Sequence, residues 1–214
     1  MRRLILKMSM SLDGYVAGPN GEIDWLIRSR DEGATAWIAD TLWQAGLHVM
    51  GSRTFQGMAG YWPTSTNPLA EAMNAIPKAV FTRQESLDLA AGLTTAALKD
   101  STLAREREGG SAAANSSPNA VSWAESKVLN GDLVEEIERL KTQPGKDILA
   151  HGGAGFARSL VKLGLIDEFR LLIHPVALGS GLPLFTDLPR PRDLKLMSVS
   201  IFGSGVAAHV YRPL

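Results

Sequence analysis

The chain has 214 residues, of which 45% are hydrophobic, and we expect them to form one domain spanning residues 1–214. The 22 basic and 22 acidic side chains cancel, so no net positive field attracts nucleic acid or an anionic membrane surface. No apolar run reaches the roughly 18 residues of a membrane span. The absence of cysteine excludes disulfides, thiolate nucleophiles and zinc–thiolate sites. The four histidines lack metal-ligand spacing, and we predict no metal site. These features indicate a cytoplasmic enzyme or binding protein for small molecules.

The first half of the chain alternates strand and helix patterns. They predict a strand at 3–10, a long loop at 11–25, a helix at 34–46, a strand at 48–51, a helix beginning at Arg53 with Ser52 as its cap, and a strand at 78–82. The loop contains three turn dipeptides, and long loops in compact domains are often functional.

The second half begins with residues 104–120, which contain no large apolar side chain and predict a flexible surface insertion. A capping box at Asp132 and Glu135 then predicts a helix that ends at Pro144-Gly145. Further on, the patterns predict a strand at 147–150, a helix ending at Leu163, a strand at 169–173, and a hairpin of 194–202 with 206–212. Residues 147–173 therefore form a βαβ unit, and the fold class is α/β with a mixed sheet.

A glycine cluster separates the predicted strand at 147–150 from its helix. Gly152-Gly153-Ala154-Gly155-Phe156 predicts a tight turn, where glycine allows a ligand to approach the backbone and the free N–H groups of the helix favour phosphate. The third glycine of a Rossmann fingerprint and the Lys-Ser/Thr of a Walker A loop are both absent. The interpretations that remain are a nucleotide site of another kind, or a tight turn without a ligand.

Four segments that contain glycine or polar residues follow predicted strands, at 11–18, at 50–55, at 81–83 and at the glycine turn. Ligands gather at strand ends on open α/β sheets. Together the four segments resemble the dihydrofolate reductase-like superfamily, and most closely the reductase domain of riboflavin biosynthesis and its stand-alone relatives. Residues 164–169, 173–181 and 184–185 are also similar to that family. The resemblance covers most of the chain except 84–120. It implies a mostly parallel mixed sheet flanked by helices, with a C-terminal antiparallel hairpin.

The resemblance implies an NADPH site in which residues 51–54 hold the cofactor's phosphates and Arg83 lies near the adenosine 2′-phosphate. A guanidinium pairs with phosphate through two hydrogen bonds, which favours NADPH over NADH. The alternative is that Arg53 and Arg83 are solvated surface residues. The complete set of cofactor-binding residues implied in this way is Ala17, Gly51, Ser52, Arg53, Thr54, Thr82, Arg83, Gly152, Gly153, Ala154, Gly155 and Phe156.

The residues on the substrate side match the family pattern less well than those on the cofactor side. Asp13 is predicted either as an acid or substrate anchor beside the nicotinamide, or as a turn residue that bonds its own backbone. Trp25, Tyr61 and Trp62 are predicted to wall a pocket for a flat heterocycle, the alternative being plain core. His151 is predicted to touch cofactor or substrate, or to be a structural hydrogen-bonder. The family generally carries lysine where this chain has Tyr15, and an acidic residue at the position of His151.

The resemblance therefore implies a reductase that transfers hydride from NADPH to a small heterocycle such as a pyrimidine or pterin. A nucleotide-binding module without catalysis is the first alternative. A hydrolase that pairs Asp13 with Glu22 or Asp24 is the second. By analogy we also expect a homodimer, for which the terminal strands and Leu171–Gly181 offer apolar surface.

Overall fold

A computed structural model describes residues 1–89 and 118–214. It contains ten strands in these ranges: β1 (Leu4–Ser11), β2 (Tyr15–Ala17), β3 (Ala45–Gly51), β4 (Lys78–Phe81), β5 (Lys127–Leu129), β6 (Asp147–His151), β7 (Glu168–His174), β8 (Leu182–Pro183), β9 (Leu194–Ile201) and β10 (Ala207–Pro213). The α-helices described there are α1 (Glu32–Trp43), α2 (Ser52–Ala59), α3 (Ala70–Ala75), α4 (Ala120–Ala124), α5 (Leu133–Thr142) and α6 (Ala154–Lys162). Two 3₁₀ helices span Asp24–Ser29 and Trp62–Thr64.

Eight of the strands form one sheet in the order β5-β4-β3-β6-β1-β7-β10-β9. The first six are parallel, so their carboxyl ends share one edge, and β10 runs antiparallel to both β7 and β9. The short strands β2 and β8 pair separately above that edge. The predicted mixed, mostly parallel sheet with a closing antiparallel hairpin is confirmed, as is the βαβ unit of β6, α6 and β7.

Alternating side chains on the central strands divide the core between the two faces of the sheet. Ile148 and Ala150 of β6 pack with α5 and α6, and we call this side the α5–α6 face. Leu149, between them, packs with Leu42 of α1, Phe55 of α2 and residues of α3 and α4, on the side that we call the α1–α4 face. This alternation follows from the pleat of a strand, in which neighbouring side chains point to opposite faces.

Two predicted helix starts have different outcomes. Asp132 does cap α5, accepting hydrogen bonds from Val134 N (2.9 Å) and Glu135 N (3.1 Å). The prediction that Ser52 caps the next helix is wrong, because Gly51 occupies the N-cap position and Ser52 is already helical. The first helix also starts earlier than predicted, since the Asp31 carboxylate accepts from Ala34 N at 3.0 Å and caps α1.

Other boundaries also differ from the sequence prediction. Residues 45 and 46 belong to β3 and not to a helix ending at 46, because Ala45 pairs with Asp147 on β6. The predicted loop at 11–25 contains β2 and the start of a 3₁₀ helix, and β5 was not predicted at all. Of the predicted insertion, Ala120 begins α4, and 104–117 lie outside the described residues.

β9 is the edge strand at the hairpin end of the sheet. Leu196, Met197, Val199 and Ile201 are all exposed there, by 43–78% of their surface. This apolar surface agrees with the predicted homodimer, which stays a prediction. None of the helices within the described ranges is long and apolar enough to cross a membrane.

Candidate functional site

The strands β3 and β6 are neighbours in the sheet, and we call the position at their carboxyl ends the crevice. The helix after β3, α2, packs on the α1–α4 face through Phe55. The helix after β6, α6, packs on the opposite face through Ala157 and Leu160. Ligands of open α/β sheets bind at the carboxyl ends of two adjacent parallel strands whose following helices lie on opposite faces.

The two turns that border this crevice touch each other through glycines. A Cβ atom placed on Gly51 would lie 3.2 Å from Phe156 Cβ, and one placed on Gly153 would lie 2.5 Å from Thr54 Oγ1. Gly153 also has a φ of 76°, in the left-handed region that disfavours side chains. The phenyl ring of Phe156 stacks on that of Phe81, with centroids 5.1 Å apart. The sequence therefore needs glycine at 51 and 153 so that the two turns can pack together.

Two helix N-termini that favour anions border the crevice. Neither α2 nor α6 has a side-chain cap, and neither has an acidic residue in its first turn. By contrast, Asp31 and Asp132 cap α1 and α5. The first N–H groups of α2 and α6 thus lack a capping side chain, and the helix dipoles add partial positive charge. Phosphate and carboxylate are the usual ligands of such positions.

The predicted cofactor arginines follow β3 and β4 and therefore lie on the β3 side of this crevice. Arg53 is in the first turn of α2, and Arg83 follows β4, whose Phe81 pairs with Gly51. Both side chains are exposed, and neither forms an ion pair with a residue in the described ranges. Thr82, between Phe81 and Arg83, accepts a hydrogen bond from Gln84 N at 3.1 Å. Their exposure leaves both guanidinium groups available to an anion.

Asp13 follows β1 at the same edge, and its carboxylate is engaged by the protein. It accepts hydrogen bonds from Ser11 Oγ (2.5 Å), Leu178 N (3.0 Å) and Gly179 N (2.7 Å). The Ser11 hydroxyl and the Gly179 amide lower the pKa of Asp13. The predicted alternative is a turn residue that bonds its own backbone, but the main amide partners are in another segment, and the ionised Asp13 ties the first loop to the loop before β8. The role as an acid, which these contacts do not test, is the alternative to this structural role.

Two substitutions separate the alternatives for Asp13. Asp13→Asn keeps an oxygen for the amides of Leu178 and Gly179 but cannot donate a carboxyl proton. We expect it to retain turnover within about threefold, whereas loss of a general acid costs about 10²–10⁴-fold. Asp13→Ala should speed hydrogen exchange at both amides. An asparagine variant as inactive as the alanine variant, with normal exchange at Leu178 and Gly179, would identify Asp13 as the acid.

Several basic groups lie on the α1–α4 face directly below the crevice. Lys7 of β1 pairs in register with His151 of β6, and His48 of β3 pairs with Lys78 of β4. The rings of His48 and His151 meet edge to face with centroids 4.5 Å apart. Both imidazoles are buried, and His48 Nδ1 and Nε2 and His151 Nε2 have no hydrogen-bond partner among the described residues.

Burial determines how these groups titrate. It lowers the pKa of His48 to about 3, with the positive charge of Lys78 adding to the effect. It lowers the pKa of His151 well below its usual value, assisted by His48, Lys7 and Lys78. Burial also lowers the pKa values of Lys7 and Lys78 to about 8. The histidines are therefore neutral at pH 7.

These neutral histidines predict a loss of stability in acid. As pH falls below about 6.5 the unfolded chain protonates its histidines, while the folded protein does not, so the unfolded state binds more protons. Each such histidine steepens the fall of the free energy of unfolding by up to about 1.4 kcal/mol per pH unit. We expect His48→Phe, followed by urea unfolding from pH 6.5 to 4, to show a shallower fall than the unsubstituted protein. An unchanged slope would mean that His48 protonates equally well when folded.

The aromatic residues predicted to wall a pocket have different surroundings. Trp25 is buried, donates from Nε1 to Glu22 O at 3.2 Å, and lies edge to face with His174, with centroids 5.3 Å apart. Tyr61 and Trp62 contact each other and follow the end of α2 that is farther from the crevice. Because a helix rises about 1.5 Å per residue, the length of α2 separates them from the crevice. Trp62 packs against the core of the α1–α4 face, as the core alternative expects.

The carboxylates of the hydrolase alternative have separate partners. Glu22 accepts from Asn20 N (2.9 Å) and Asn20 Nδ2 (2.7 Å), and these bonds lower its pKa. Asp24 lies 3.7 Å from Arg28. No contact joins either of them to Asp13 within the described residues, where no cluster of three or more potential metal ligands is found either. The paired-carboxylate arrangement therefore lacks support.

Comparison with known proteins agrees with this geometry. The family model of the RibD C-terminal domain matches residues 2–208. The chain belongs to the RibD C-terminal domain family. The uncharacterized protein YyaP of Bacillus subtilis is 34% identical over 98% of this chain and 94% of its own length. A second uncharacterized Bacillus subtilis protein, YwjB, is 26% identical over 99% of this chain and 98% of its own length.

Solved structures show the same fold at low sequence identity. A pyrimidine reductase-like protein of Corynebacterium diphtheriae has a TM-score of 0.63 and 16% identity, covering all of this chain and 92% of its own. The deaminase and 5-amino-6-(5-phosphoribosylamino)uracil reductase of Thermotoga maritima has a TM-score of 0.65 and 17% identity, covering all of this chain but 57% of its own. Enterococcus faecalis dihydrofolate reductase, complexed with NADP(H), has a TM-score of 0.56 and 12% identity, covering 99% of this chain and 96% of its own. The family model confirms the predicted relation to the riboflavin-biosynthesis reductase domain, and these structures show the predicted dihydrofolate reductase-like fold.

Proposed function

We propose that this protein is an NADPH-dependent reductase that transfers hydride to a small planar acceptor. The observation that carries the proposal is the contact between the turns at Gly51 and Gly153, which brings two uncapped helix N-termini to one crevice. The fold family implies a dinucleotide there, and the donor set suits its phosphates because it consists of N–H groups and arginines without an acidic neighbour in either first turn.

In this proposal the crevice residues bind and orient the cofactor. The backbone N–H groups at the starts of α2 and α6 receive the pyrophosphate, with Thr54 beside Gly153. Arg53 and Arg83 receive the 2′-phosphate, which distinguishes NADPH from NADH. Bound NADPH supplies the hydride. Asp13 holds the loop before β8 in place, which fixes the mouth of the site. His151 and Trp25 border the acceptor.

Arginine substitutions test the cofactor assignment. Losing a charge-assisted phosphate contact typically costs about 1.5–3 kcal/mol, roughly tenfold or more in affinity. We therefore expect Arg53→Ala and Arg83→Ala each to weaken NADPH at least about tenfold while leaving NADH within about threefold. Arg158→Ala is a matched control, because Arg158 lies later in α6 and donates to Ala154 O. Equal weakening of both nucleotides would contradict the assignment.

The alternative function is a nucleotide-binding module on the same fold. It makes the same prediction for the arginines but predicts no oxidation of NADPH with any acceptor. Incubating the protein with NADPH and a panel of pyrimidines and pterins, and following absorbance at the nicotinamide band, distinguishes the two. The homodimer remains part of the proposal and is tested by sedimentation.

A further inference from the structure

A second concave site, which we call the hollow, lies on the α1–α4 face at the opposite edge of the sheet from the crevice. It has a volume of about 390 Å³ and lies between α1 and the strands β7, β9 and β10, with a lining that includes Trp37, Thr41, Gln44, Arg170, Ser198 and Arg212. The seven residues of β7 separate the two edges of the sheet by roughly 20 Å. The volume is in the lower part of the range for small-molecule sites.

The floor of the hollow is charged where the space between a helix and a sheet is ordinarily apolar. Leu172 of β7 packs against α1, but Arg170 and Glu168, the two preceding side chains on that face of β7, are charged. Arg212 of β10 reaches the same Glu168 carboxylate. Apolar packing between α1 and β7 therefore ends at Leu172, and a polar hollow continues beneath the rest of the helix.

Hydrogen bonds hold two guanidinium groups of the hollow in fixed orientations. Arg212 donates to Glu168 from Nε (3.0 Å) and Nη2 (2.9 Å). Arg170 donates from Nε to Glu168 (2.8 Å) and from Nη1 to Thr41 Oγ1 (3.2 Å). The other amino groups, Arg212 Nη1 and Arg170 Nη2, form no hydrogen bond with any residue in the described ranges. A guanidinium group that is already oriented loses less conformational freedom when it binds an anion.

The charge of these groups favours a ligand with one negative charge. The guanidinium groups of Arg3, Arg170 and Arg212 share two carboxylates, those of Asp147 and Glu168. Glu168 is 2% exposed and already accepts from all three arginines. One further carboxylate would balance the excess positive charge, and its two oxygens match the planar N–H donors of guanidinium groups.

The α1 side of the hollow provides a flat apolar surface. The partly buried indole of Trp37 lines it, one helical turn before Thr41. Asp40 is exposed at the rim and forms no ion pair with any residue that the structure describes. Because Asp40 repels an anion, the charged group of a ligand belongs at the arginines and its neutral part beside Trp37.

We infer that the hollow is a second ligand site, for a small aromatic carboxylate. The carboxylate accepts hydrogen bonds from Arg212 Nη1 and Arg170 Nη2, and the ring packs on the indole of Trp37. A phosphate monoester matches the floor less well, because its second negative charge would exceed the positive excess and face Glu168. The inference does not depend on the proposed function, because the hollow and the crevice lie at opposite edges of the sheet.

Three probes separate the contribution of the charge from that of the ring. Benzoate carries both, acetate carries the charge alone, and benzyl alcohol carries the ring without the charge. We expect benzoate to bind with a Kd of about 1 mM or lower, and each of the others at least about tenfold more weakly. The indole N–H resonances of the five tryptophans report binding in an NMR titration. Benzoate should shift the resonance of Trp37 and leave that of Trp25, which contacts His174 at the other edge of the sheet, unchanged.

Substitutions connect the binding to the arginines and the indole. Arg212→Gln should weaken benzoate at least about tenfold and leave benzyl alcohol within about twofold, because it removes a charge-assisted hydrogen bond. Arg212→Lys is the second variant in case the glutamine variant does not fold; it keeps a charge beside Glu168 but loses the planar donors, and should weaken benzoate at least about threefold. Trp37→Leu should also weaken benzoate, whereas Trp43→Leu, which replaces an exposed tryptophan at the end of the same helix, is the matched control and should not.

The inference is overturned if benzoate leaves the Trp37 resonance unchanged or shifts that of Trp25 instead. It is also overturned if Arg212→Gln and Trp37→Leu bind benzoate as the unsubstituted protein does. Inorganic phosphate that shifts the Trp37 resonance at lower concentration than benzoate would overturn the aromatic carboxylate as the ligand. NADPH affinity should be the same in Arg212→Gln and the unsubstituted protein, so none of these results changes the cofactor assignment.

Discussion

Glu168→Gln is expected to lower the free energy of unfolding by about 3 kcal/mol, the cost of removing one partner from a buried ion pair. Glu168 begins β7 and is 2% exposed. Its carboxylate accepts from Arg3 (2.9 Å), Arg170 (2.8 Å) and Arg212 (2.9 Å). Burial raises its pKa, but the hydrogen bonds from Arg170 and Arg212 outweigh this effect and leave the pKa below its ordinary value.

The expected cost is at the lower end of the range for buried pairs because two of the three arginines are partly solvated. The Arg3 and Arg212 side chains are 41% and 46% exposed, whereas that of Arg170 is 12% exposed and loses its main counter-charge. Urea unfolding measures the change. Asp24→Asn removes an equal charge from an exposed pair with Arg28 and should cost at most about 1 kcal/mol. Similar losses in both variants would mean that the Glu168 cluster contributes no more than a surface pair.

Gly153→Ala is expected to lower stability by about 2–4 kcal/mol, through the strain of a left-handed residue and a steric clash. The new Cβ would lie 2.5 Å from Thr54 Oγ1, on the wall of the crevice. Moving Thr54 aside separates the two turns, so we also expect NADPH affinity to fall by about tenfold or more. Thermal or urea unfolding and a fluorescence titration with NADPH measure the two effects.

Two further variants separate the causes. Gly155→Ala changes a glycine two residues later in α6, where a Cβ would meet nothing within 4 Å. Since alanine favours a helix over glycine, this control should be neutral or stabilising by up to about 1 kcal/mol. The double variant Gly153→Ala with Thr54→Ala lacks the clashing oxygen, so it should regain part of the lost free energy of unfolding. A double variant no better than Gly153→Ala alone would show that backbone strain accounts for the whole effect.

The parts of the fold that were predictable from sequence have strong local signals. The strand–turn–helix at 147–163 combines a short apolar run, a glycine cluster and helical periodicity, and all three agree. The cap at Asp132 depends on residues within one turn of it. Ser52 failed as a cap although serine favours that position, because Gly51 must occupy it for the turn to pack against Phe156. A tertiary contact therefore determines where α2 begins, and no local sequence pattern indicates that position.

The site was predictable on its cofactor side and much less so on its acceptor side. Arg53 and the glycines belong to short motifs, whereas Lys7 and His174 come from distant segments that only the sheet register brings to one face. One signal was available in the sequence: Lys7 and Ser9 alternate with apolar residues in a segment predicted to be the central strand. Polar residues at alternate positions of a buried strand indicate a face that is not filled by core.

The most direct test of the account is hydrogen exchange of the whole protein with and without saturating NADPH. We expect NADPH to slow exchange of the backbone amides at 52–56 and 154–158, where the two helix N-termini border the crevice, with little change along β9. NADH should protect the same amides but require higher concentration. NADPH binding that leaves both segments unprotected, or that protects another part of the chain instead, would contradict the central claim that this crevice is the cofactor site.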